Sequence, residues 1–205
     1  MSRWLLTASA AAASAPMAIE ASTLTAPMSP VSTQSVPITA TRPKPIAYTP
    51  FGELTVFVFF GLVAVMGTDW VLTGDIGAVS LLASIAIGAL AAAALAVNNH
   101  RDIAHDRLVG RRTFAVTFGD AASRHLYTLL LLGPFVLLLP MALLASAPAL
   151  LLPLLLLPAA LQLRRDFGRT PPGTAFNEIL FRTFRLELWF AALLSAGALL
   201  ARVLG

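Results

Sequence analysis

Five long runs of apolar residues divide the chain, with short polar or charged segments between them. The runs are about 54–73, 77–97, 126–145, 147–163 and 186–204. Each is close to the ~20 residues that an α-helix needs to cross a bilayer. The pattern therefore predicts an all-α, polytopic transmembrane helix bundle with about five spans.

The fourth run is the least regular of the five. It is short and contains Pro148, Pro153 and Pro158. Proline removes a backbone donor and bends a helix, although neighbouring helices in a membrane bundle tolerate such breaks. We expect this span to be kinked, tilted or partly re-entrant.

Composition narrows the class of protein and its chemistry. The chain is 58% hydrophobic and only 12% charged, which is typical of a membrane protein rather than a soluble globule. It has no cysteine, so disulfides, thiolate zinc sites and thiol nucleophiles are excluded. The net charge of +4 follows from the membrane topology described next, and it does not indicate a nucleic-acid partner.

Basic residues are concentrated in alternate connections between the runs. Twelve of the fourteen precede the first run or lie in the second–third and fourth–fifth connections: Arg42, Lys44, Arg101, Arg107, Arg111, Arg112, Arg124, Arg164, Arg165, Arg169, Arg182 and Arg185. The other connections contain no lysine or arginine. The positive-inside rule then places these basic connections in the cytoplasm. We predict a multi-pass protein integral to the cell inner (plasma) membrane.

Residues 1–42 differ from the rest of the chain. They are rich in Ala, Ser, Thr and Pro, and up to residue 41 only Arg3 and Glu20 are charged. Such a segment cannot bury enough apolar surface to form a core. We interpret 1–42 as a disordered or non-homologous leader before a transmembrane domain at 43–205.

The connection after the second run carries a dense group of polar side chains. It reads Asn98-Asn99-His100-Arg101-Asp102-Ile103-Ala104-His105-Asp106 and continues to Gly110-Arg111-Arg112-Thr113. Asn98, Asp102 and Asp106 are four residues apart, so on a helix they share one face. Aspartate at the mouth of a membrane helix is costly and by default functional. Oxygen ligands beside arginines favour a divalent cation that bridges to a phosphate group.

A purely structural interpretation of these residues stays open. Asp102 and Asp106 could form an ordinary interfacial ion-pair cluster with nearby arginines, namely Arg101, Arg107 and Arg112. Asn99 could simply cap the preceding helix. The three histidines are expected at the membrane interface, because their spacing is not joined by another ligand type that favours zinc.

Two further patterns have structural interpretations. Glu178, Arg182 and Glu187 lie at helical spacing, which predicts an internal ion pair. Ser84 and Gly88 are small residues four apart, which predicts close packing of the second helix against a neighbour.

Two segments carry a resemblance to a known family. Pro43-Lys44-Pro45-Ile46-Ala47-Tyr48-Thr49-Pro50-Phe51-Gly52-Glu53 leads into the first helix, and Asn-Asn-x-Arg-Asp-x-x-x-Asp from Asn98 to Asp106 precedes Gly-Arg-Arg-Thr. Through these segments the chain resembles the UbiA superfamily of membrane prenyltransferases. It is particularly similar to the branch that prenylates 1,4-dihydroxy-2-naphthoate in menaquinone synthesis.

The resemblance implies a nine-helix bundle in which two aspartate-rich motifs hold Mg²⁺ on a polyprenyl diphosphate. Asp102 and Asp106 would be catalytic and, with Asn98, would be the metal ligands. The diphosphate would be bound by four residues: Asn98, Arg101, Arg111 and Arg112. The implied reaction transfers the polyprenyl group to 1,4-dihydroxy-2-naphthoate with loss of carbon dioxide and gives demethylmenaquinone.

Other parts of the family pattern have no counterpart in this sequence. The first aspartate-rich motif, an Asn-Asp-x-x-Asp-like segment, is missing, and so is a Tyr-Pro-x-x-Lys-Arg segment. We therefore expect 43–205 to correspond to the C-terminal five helices of the bundle, in a truncated product that is inactive alone. Half a bundle would expose a face through which the chain could associate with itself in the lipid bilayer.

Two alternative functions follow from the same residues. The chain could be a non-catalytic membrane helix bundle whose acidic segment stabilises topology or a partner. Within the enzyme class, it could prenylate another aromatic acceptor, as the 4-hydroxybenzoate and phytyl-transferring relatives do.

Overall fold

The computed structural model describes residues 46–204, and the long elements in that part of the chain are all helices. We number the helices α1 to α6: Gly52–Thr73, Ala78–Arg101, Ile103–Leu108, Phe114–Leu144, Pro148–Arg169 and Phe176–Leu204. All except the short α3 are long and apolar enough to cross a membrane. The predicted all-α bundle with five spans is confirmed. The predicted leader, 1–42, lies outside the described residues.

Two spans begin well before their apolar runs. α4 begins at Phe114 rather than near residue 126, and α6 begins at Phe176 rather than near residue 186. Hydropathy marks only the part of a helix that lipid surrounds. The first parts of both helices contain charged residues, such as Asp120 in α4 and Glu178 in α6, and therefore escape a search for apolar runs. Within α4, Gly119 breaks the helical conformation with a φ of 83°, which glycine adopts at little cost.

The prolines of α5 change how the helix is wound. Pro148–Leu156 forms a 3-10 helix and Leu157–Arg169 an α-helix. Pro153 within the first part has no N–H to donate, so regular α-helical bonding cannot run through it. The predicted distortion is confirmed, and the two parts together form one candidate span of 22 residues.

α2 lies at the centre of the bundle because one of its faces consists largely of small apolar residues. Ala86, Leu90, Ala93 and Val97 recur at helical spacing and are fully buried. They share a core with large buried side chains of α4, α5 and α6: Tyr127, Leu131, Leu138, Leu163, Phe167, Phe176 and Phe190. Alanines on α2 let the neighbouring helices approach closely.

α1 packs against α2 through a contact between glycines. A Cβ added to Gly88 would lie 2.7 Å from the carbonyl oxygen of Phe57, and one added to Gly61 would lie 2.7 Å from the Cα of Gly88. Such distances leave no room for any side chain. The close packing predicted from Ser84 and Gly88 is confirmed, and its partner is α1, whose segment Phe57–Met66 is wound as a π-helix.

α1 otherwise contributes little to the core. Only 6% of its most apolar stretch is buried, so this helix lies at the edge of the bundle. Its exposed large side chains include Phe59, Phe60, Val63, Trp70 and Val71. In a membrane these side chains contact lipid. The self-association predicted through an exposed face stays a prediction.

Candidate functional site

The acidic loop, which we define as residues 98–113, begins with a turn that nearly continues α2. Asp102 ends the helix with φ −97° and ψ 10°. Its N–H still donates to the carbonyl of Asn98 at 3.2 Å, and its own carbonyl accepts from the N–H of Asp106 at 2.8 Å. Successive backbone hydrogen bonds thus connect the three residues that the spacing placed on one face.

Three side chains meet around the guanidinium group of Arg101. Arg101 donates from Nε to Asp102 Oδ1 at 2.8 Å and from Nη2 to Asp102 Oδ2 at 2.7 Å. It also donates from Nη2 to Asn98 Oδ1 at 2.8 Å and from Nη1 to Asn177 Oδ1 of α6 at 2.9 Å. We call Asn98, Arg101, Asp102 and Asn177 the Arg101 cluster. Hydrogen bonds from the guanidinium hold the pKa of the Asp102 carboxyl below its usual value, so this group is ionised at neutral pH.

Asp106 lies deeper than Asp102 and has a different partner. Its side chain is only 2% exposed, and Oδ1 lies 3.3 Å from Nη1 of Arg111. The Arg111 guanidinium also stacks over the ring of Tyr48, 4.5 Å from its centroid. The N–H of Arg112 donates to the carbonyl of Tyr48 at 3.0 Å. The turn that precedes α1 therefore holds the arginine end of the acidic loop.

The predicted site residues form two groups rather than one. Asn98, Arg101 and Asp102 are joined in the Arg101 cluster, whereas Asp106 pairs with Arg111. The open ion-pair interpretation is thus partly realised: Asp102 pairs with Arg101, one of the partners it proposed, whereas Asp106 pairs with Arg111, which it did not include. Asn177, which completes the Arg101 cluster, was missed because 75 residues separate it from Asp102 and no sequence pattern connects them.

The side chain of Arg112 is exposed, and within residues 46–204 it makes neither an ion pair nor a side-chain hydrogen bond. In the same part of the chain, no three acidic or histidine side chains are grouped as a metal site would require. Asparagine can supply a further oxygen ligand for a hard cation. The assignment of Asn98, Asp102 and Asp106 as magnesium ligands therefore stays a prediction.

Asn98 also lines a cavity of about 410 Å³ between α1, α2 and α6. The walls are formed almost entirely by apolar side chains: Val56, Phe60, Ala91, Ala94, Leu95, Leu180 and Phe184. Besides Asn98, the lining contains one polar side chain, Glu187. The small alanines on α2 leave the space that the larger residues of α1 and α6 enclose. A charged cluster thus lies next to an apolar cavity.

The ion pair predicted among Glu178, Arg182 and Glu187 is wrong. Arg182 donates from Nη1 to Asp166 Oδ2 of α5 at 2.8 Å instead. Glu187 is half-buried in the cavity and forms no ion pair within residues 46–204. The sequence did contain a signal, because Glu187 lies inside an apolar run with no basic residue four positions before or after it. An unpaired carboxyl in a membrane span is by default functional.

Two residues next to the Arg101 cluster are buried inside the bundle. Asn99 donates from Nδ2 to Glu53 Oε1 at 2.9 Å, which connects α2 to α1 and gives this residue more than a capping role. His100, which we expected at the interface, is fully buried between the rings of two phenylalanines of α5 and α6. Its Nδ1 lies 3.1 Å from Ser123 Oγ. Helix packing at this level buries Asn99 and His100 while Asn98 and Arg101 stay half-buried, which composition alone does not reveal.

Comparison with known proteins gives consistent results. The sequence model of the UbiA prenyltransferase family matches residues 2–184. The 1,4-dihydroxy-2-naphthoate octaprenyltransferase of Mycobacterium tuberculosis is 39% identical over 158 residues, which are 76% of this chain and 52% of that protein. The enzyme of the same name from Mycobacterium leprae is 46% identical over 94 residues, which are 46% of this chain and 32% of that protein. UbiA prenyltransferase domain-containing protein 1 of Mus musculus is 34% identical over 154 residues, 75% of this chain and 44% of that protein.

The chain spans about half or less of the length of these relatives. The family match begins at residue 2, within the segment predicted to be a leader. That segment lies outside the described residues, and its assignment stays a prediction.

Proposed function

Because the chain belongs to the UbiA prenyltransferase family, we propose that it acts in the transfer of a polyprenyl group from a polyprenyl diphosphate to an aromatic acceptor. One observation of the structure carries this proposal. The Arg101 cluster, with its carboxylate, amides and guanidinium, lies at the end of an apolar cavity of about 410 Å³. A substrate with a charged head and a long hydrocarbon tail matches this arrangement, because the head would bind at the Arg101 cluster and the tail would lie in the cavity.

We propose 1,4-dihydroxy-2-naphthoate as the acceptor. The support is the name shared by the bacterial relatives at 39% and 46% identity, together with the resemblance of the acidic loop. The ring would lose carbon dioxide as it gains the prenyl chain, and the product would be demethylmenaquinone. An electron-rich ring beside the diphosphate end of the cavity would capture the allylic cation as the carbon–oxygen bond breaks.

In this proposal the arginines of the acidic loop bind the diphosphate. Arg112 is exposed, and Arg111 is held over the Tyr48 ring, which fixes the direction of its guanidinium. Arginine forks bind phosphate oxygens through paired hydrogen bonds. Charge on the leaving diphosphate increases as the bond breaks, so fixed cations at this place favour the transition state.

The donor set of the Arg101 cluster fits magnesium. Asn98 and Asp102 direct three side-chain oxygens at the Arg101 guanidinium, over hydrogen bonds of 2.7–2.8 Å. A bound cation would take the place of that guanidinium. Hard oxygen ligands of this kind are those that Mg²⁺ prefers. When bound, the ion would neutralise charge on the departing diphosphate. Asn98 and Asp102 would be its ligands, Asp106 would join them, and Arg101 would turn towards the diphosphate.

The apolar cavity would accept the beginning of the prenyl chain. In a membrane, walls such as Phe60, Leu95 and Phe184 would surround the carbon at which the bond breaks with apolar side chains and so limit its contact with water. Exclusion of water prevents the allylic cation from being lost to hydrolysis. The half-buried carboxyl of Glu187 lies within reach of whatever occupies this cavity, and we assign it to positioning of the acceptor ring.

We place this reaction at the cytoplasmic face of the inner (plasma) membrane. The support is the distribution of basic residues, which is concentrated on the side of the bundle that carries the acidic loop. Substrates with a diphosphate head would approach from that side.

Binding and transfer by the full chain, reconstituted in vesicles, test the proposal together. An unreactive polyprenyl thiodiphosphate serves as the binding probe, and radiolabelled polyprenyl diphosphate with 1,4-dihydroxy-2-naphthoate and Mg²⁺ serves for transfer. We expect magnesium-dependent binding that Asp102→Asn weakens about a hundredfold, equivalent to about 2.7 kcal/mol. Asp75→Asn, an exposed carboxyl in another loop, is the control and should change nothing.

Three outcomes are informative. Absence of magnesium-dependent binding in the wild-type chain would contradict the proposal. Binding without transfer would support the site and confirm that this chain is inactive alone. Prenylated product that Asp102→Asn abolishes would support the full proposal and overturn the expectation of inactivity.

A further inference from the structure

A second site with basic side chains lies on the other side of α5, away from the Arg101 cluster. It is a groove of about 420 Å³ between α4 and α5, which we call the basic groove. Its lining consists of Arg124, His125, Thr128, Arg164, Arg165, Phe167 and Gly168. We propose that this groove binds the phosphate of an anionic phospholipid of the surrounding membrane.

The charge of the basic groove is largely uncompensated. Arg164 and Arg165 are exposed, and within residues 46–204 neither makes a hydrogen bond or an ion pair through its side chain. Asp166, between them and Phe167 in sequence, is directed to α6, where it pairs with Arg182 at 2.8 Å. Two guanidinium groups in the groove are therefore free to bind an anion.

Arg124 is fixed in place as part of the groove wall. Its Nε donates to Asp120 Oδ2 at 2.7 Å, and its Nη1 donates to the carbonyl oxygen of Phe167 on α5. This arginine therefore joins the two helices that form the groove. Its role is to hold the walls together, while Arg164 and Arg165 supply the free positive charge.

The height of the groove in the bundle matches that of lipid phosphates. Arg124 and His125 immediately precede the apolar run 126–145, and Arg164 and Arg165 immediately follow the run 147–163. Both pairs thus lie where a span leaves the hydrocarbon region. Basic pockets between membrane helices on the cytoplasmic side are typical sites for anionic headgroups.

Apolar side chains continue the groove into the membrane. Leu132 follows Thr128 by four residues on α4, and Leu161 precedes Arg165 by four on α5, so each lies on the face that lines the groove. Both are half-buried and leave apolar surface accessible. An acyl chain attached to a phosphate in the groove would lie along this surface. A free phosphate ion would gain nothing from it, and we therefore assign the groove to a lipid.

Arginines next to membrane spans commonly do no more than fix topology. The basic groove differs because side chains from two helices converge on one concave surface. Its residues are not those of the Arg101 cluster, so the inference does not depend on the proposed transfer reaction. A lipid bound here would connect α4 to α5 on the outside of the bundle.

Native mass spectrometry of the full chain in a neutral detergent tests the inference. Phosphatidylglycerol and phosphatidylcholine are added at equal concentrations, and the bound fraction of each is measured. We expect a preference for phosphatidylglycerol that falls about tenfold or more in the double variant Arg164→Gln/Arg165→Gln. The matched control, Arg107→Gln/Arg185→Gln, removes the same charge from exposed positions outside the groove and should retain the preference.

A second variant changes the shape of the basic groove and keeps its positive charge. Thr128→Leu keeps every arginine but places a larger side chain in the groove, and it should weaken phosphatidylglycerol binding as well. An equal loss in both double variants would show attraction by net charge alone and overturn the inference. Equal binding of the two lipids, or complete displacement of phosphatidylglycerol by inorganic phosphate, would also overturn it. Circular dichroism spectra identify any variant that fails to fold. If the double variant Arg164→Gln/Arg165→Gln does not fold, the effect of Thr128→Leu on phosphatidylglycerol binding decides the test.

Discussion

Arg101 is the residue on which the candidate site depends, since its guanidinium bonds to side chains from two helices. It neutralises Asp102, orients Asn98 and reaches Asn177 on α6. One guanidinium group thus donates hydrogen bonds to side-chain oxygens that would otherwise repel one another or lack a donor. In the proposed function, the same group would exchange these partners for a phosphate of the substrate.

Asn177 should act as a positioning residue for Arg101. Replacement of Asn177 by Ala removes the acceptor at 2.9 Å, so Arg101 loses its connection to α6. We expect affinity for the thiodiphosphate probe to fall about three- to tenfold, equivalent to about 0.7–1.4 kcal/mol, the usual net contribution of one hydrogen bond. Magnesium dependence should persist, because the three proposed metal ligands, Asn98, Asp102 and Asp106, remain.

The control for this prediction is Glu178→Gln, which changes the neighbouring exposed residue. Asn177→Asp, which keeps an acceptor oxygen, should retain affinity. A full loss of binding in Asn177→Ala, or an equal loss in Glu178→Gln, would contradict a positioning role.

The ion pair of Asp102 should make stability depend on pH only in acid. In the folded state, hydrogen bonds from Arg101 hold the pKa of the Asp102 carboxyl below its ordinary value of 3.8. As the pH falls, this carboxyl is therefore protonated in the unfolded chain before it is protonated in the folded chain. The contribution is therefore complete above the ordinary carboxyl pKa and disappears as the pH falls through the lowered value.

Thermal unfolding in detergent of the wild-type chain and of Asp102→Asn measures this contribution. The difference in unfolding temperature between the wild-type chain and the variant should be constant from about pH 5 to 7 and should vanish in stronger acid. A difference in unfolding temperature that grows as the pH falls would mean that the charge of Asp102 does not stabilise the folded chain.

At the scale of whole elements, the contact between α1 and α2 depends on the absence of side chains. Gly88→Ala places a Cβ 2.7 Å from the Phe57 carbonyl and 2.9 Å from the Gly61 Cα. Both are backbone atoms, so the helices must separate. We expect a loss of about 1–3 kcal/mol in the free energy of unfolding, as for other overpacked contacts.

The matched control is Gly133→Ala in the middle of α4, where an added Cβ meets nothing within 4 Å. Its stability should be unchanged or slightly higher, because alanine favours helix. Reversible unfolding in mixed micelles measures both variants. Similar losses in the two would indicate that loss of glycine itself, rather than the close contact, is responsible.

Sequence patterns predicted some elements well and others poorly, for physical reasons. Hydropathy located all five spans because lipid imposes one length and one composition on each. It misplaced the starts of α4 and α6, since polar turns in the interface obey no such constraint. Spacing placed Asn98 next to Asp102, which are local in sequence and share Arg101, but it grouped Asp106 with them although that residue pairs with Arg111. It missed Asn177 and the pairing of Asp166 with Arg182, because tertiary packing alone brings those residues together.

At the scale of the whole molecule, five spans place the two ends of the described chain on opposite sides of the membrane. Reporter fusions after Leu108 and after Gly205 should therefore report opposite sides, with the acidic loop in the cytoplasm. The reason is the concentration of basic residues in alternate connections. Reporters on the same side would show that the proline-containing α5 does not cross, despite its 22 residues.

The edge position of α1 has a consequence for the acidic loop. This helix is mostly exposed to lipid, and it is held by its glycine contact with α2 and by the Glu53–Asn99 hydrogen bond. Tyr48, just before α1, carries the stacked guanidinium of Arg111. A displacement of α1 within the bilayer would therefore move the Tyr48 ring away from Arg111 and loosen the arginine end of the acidic loop.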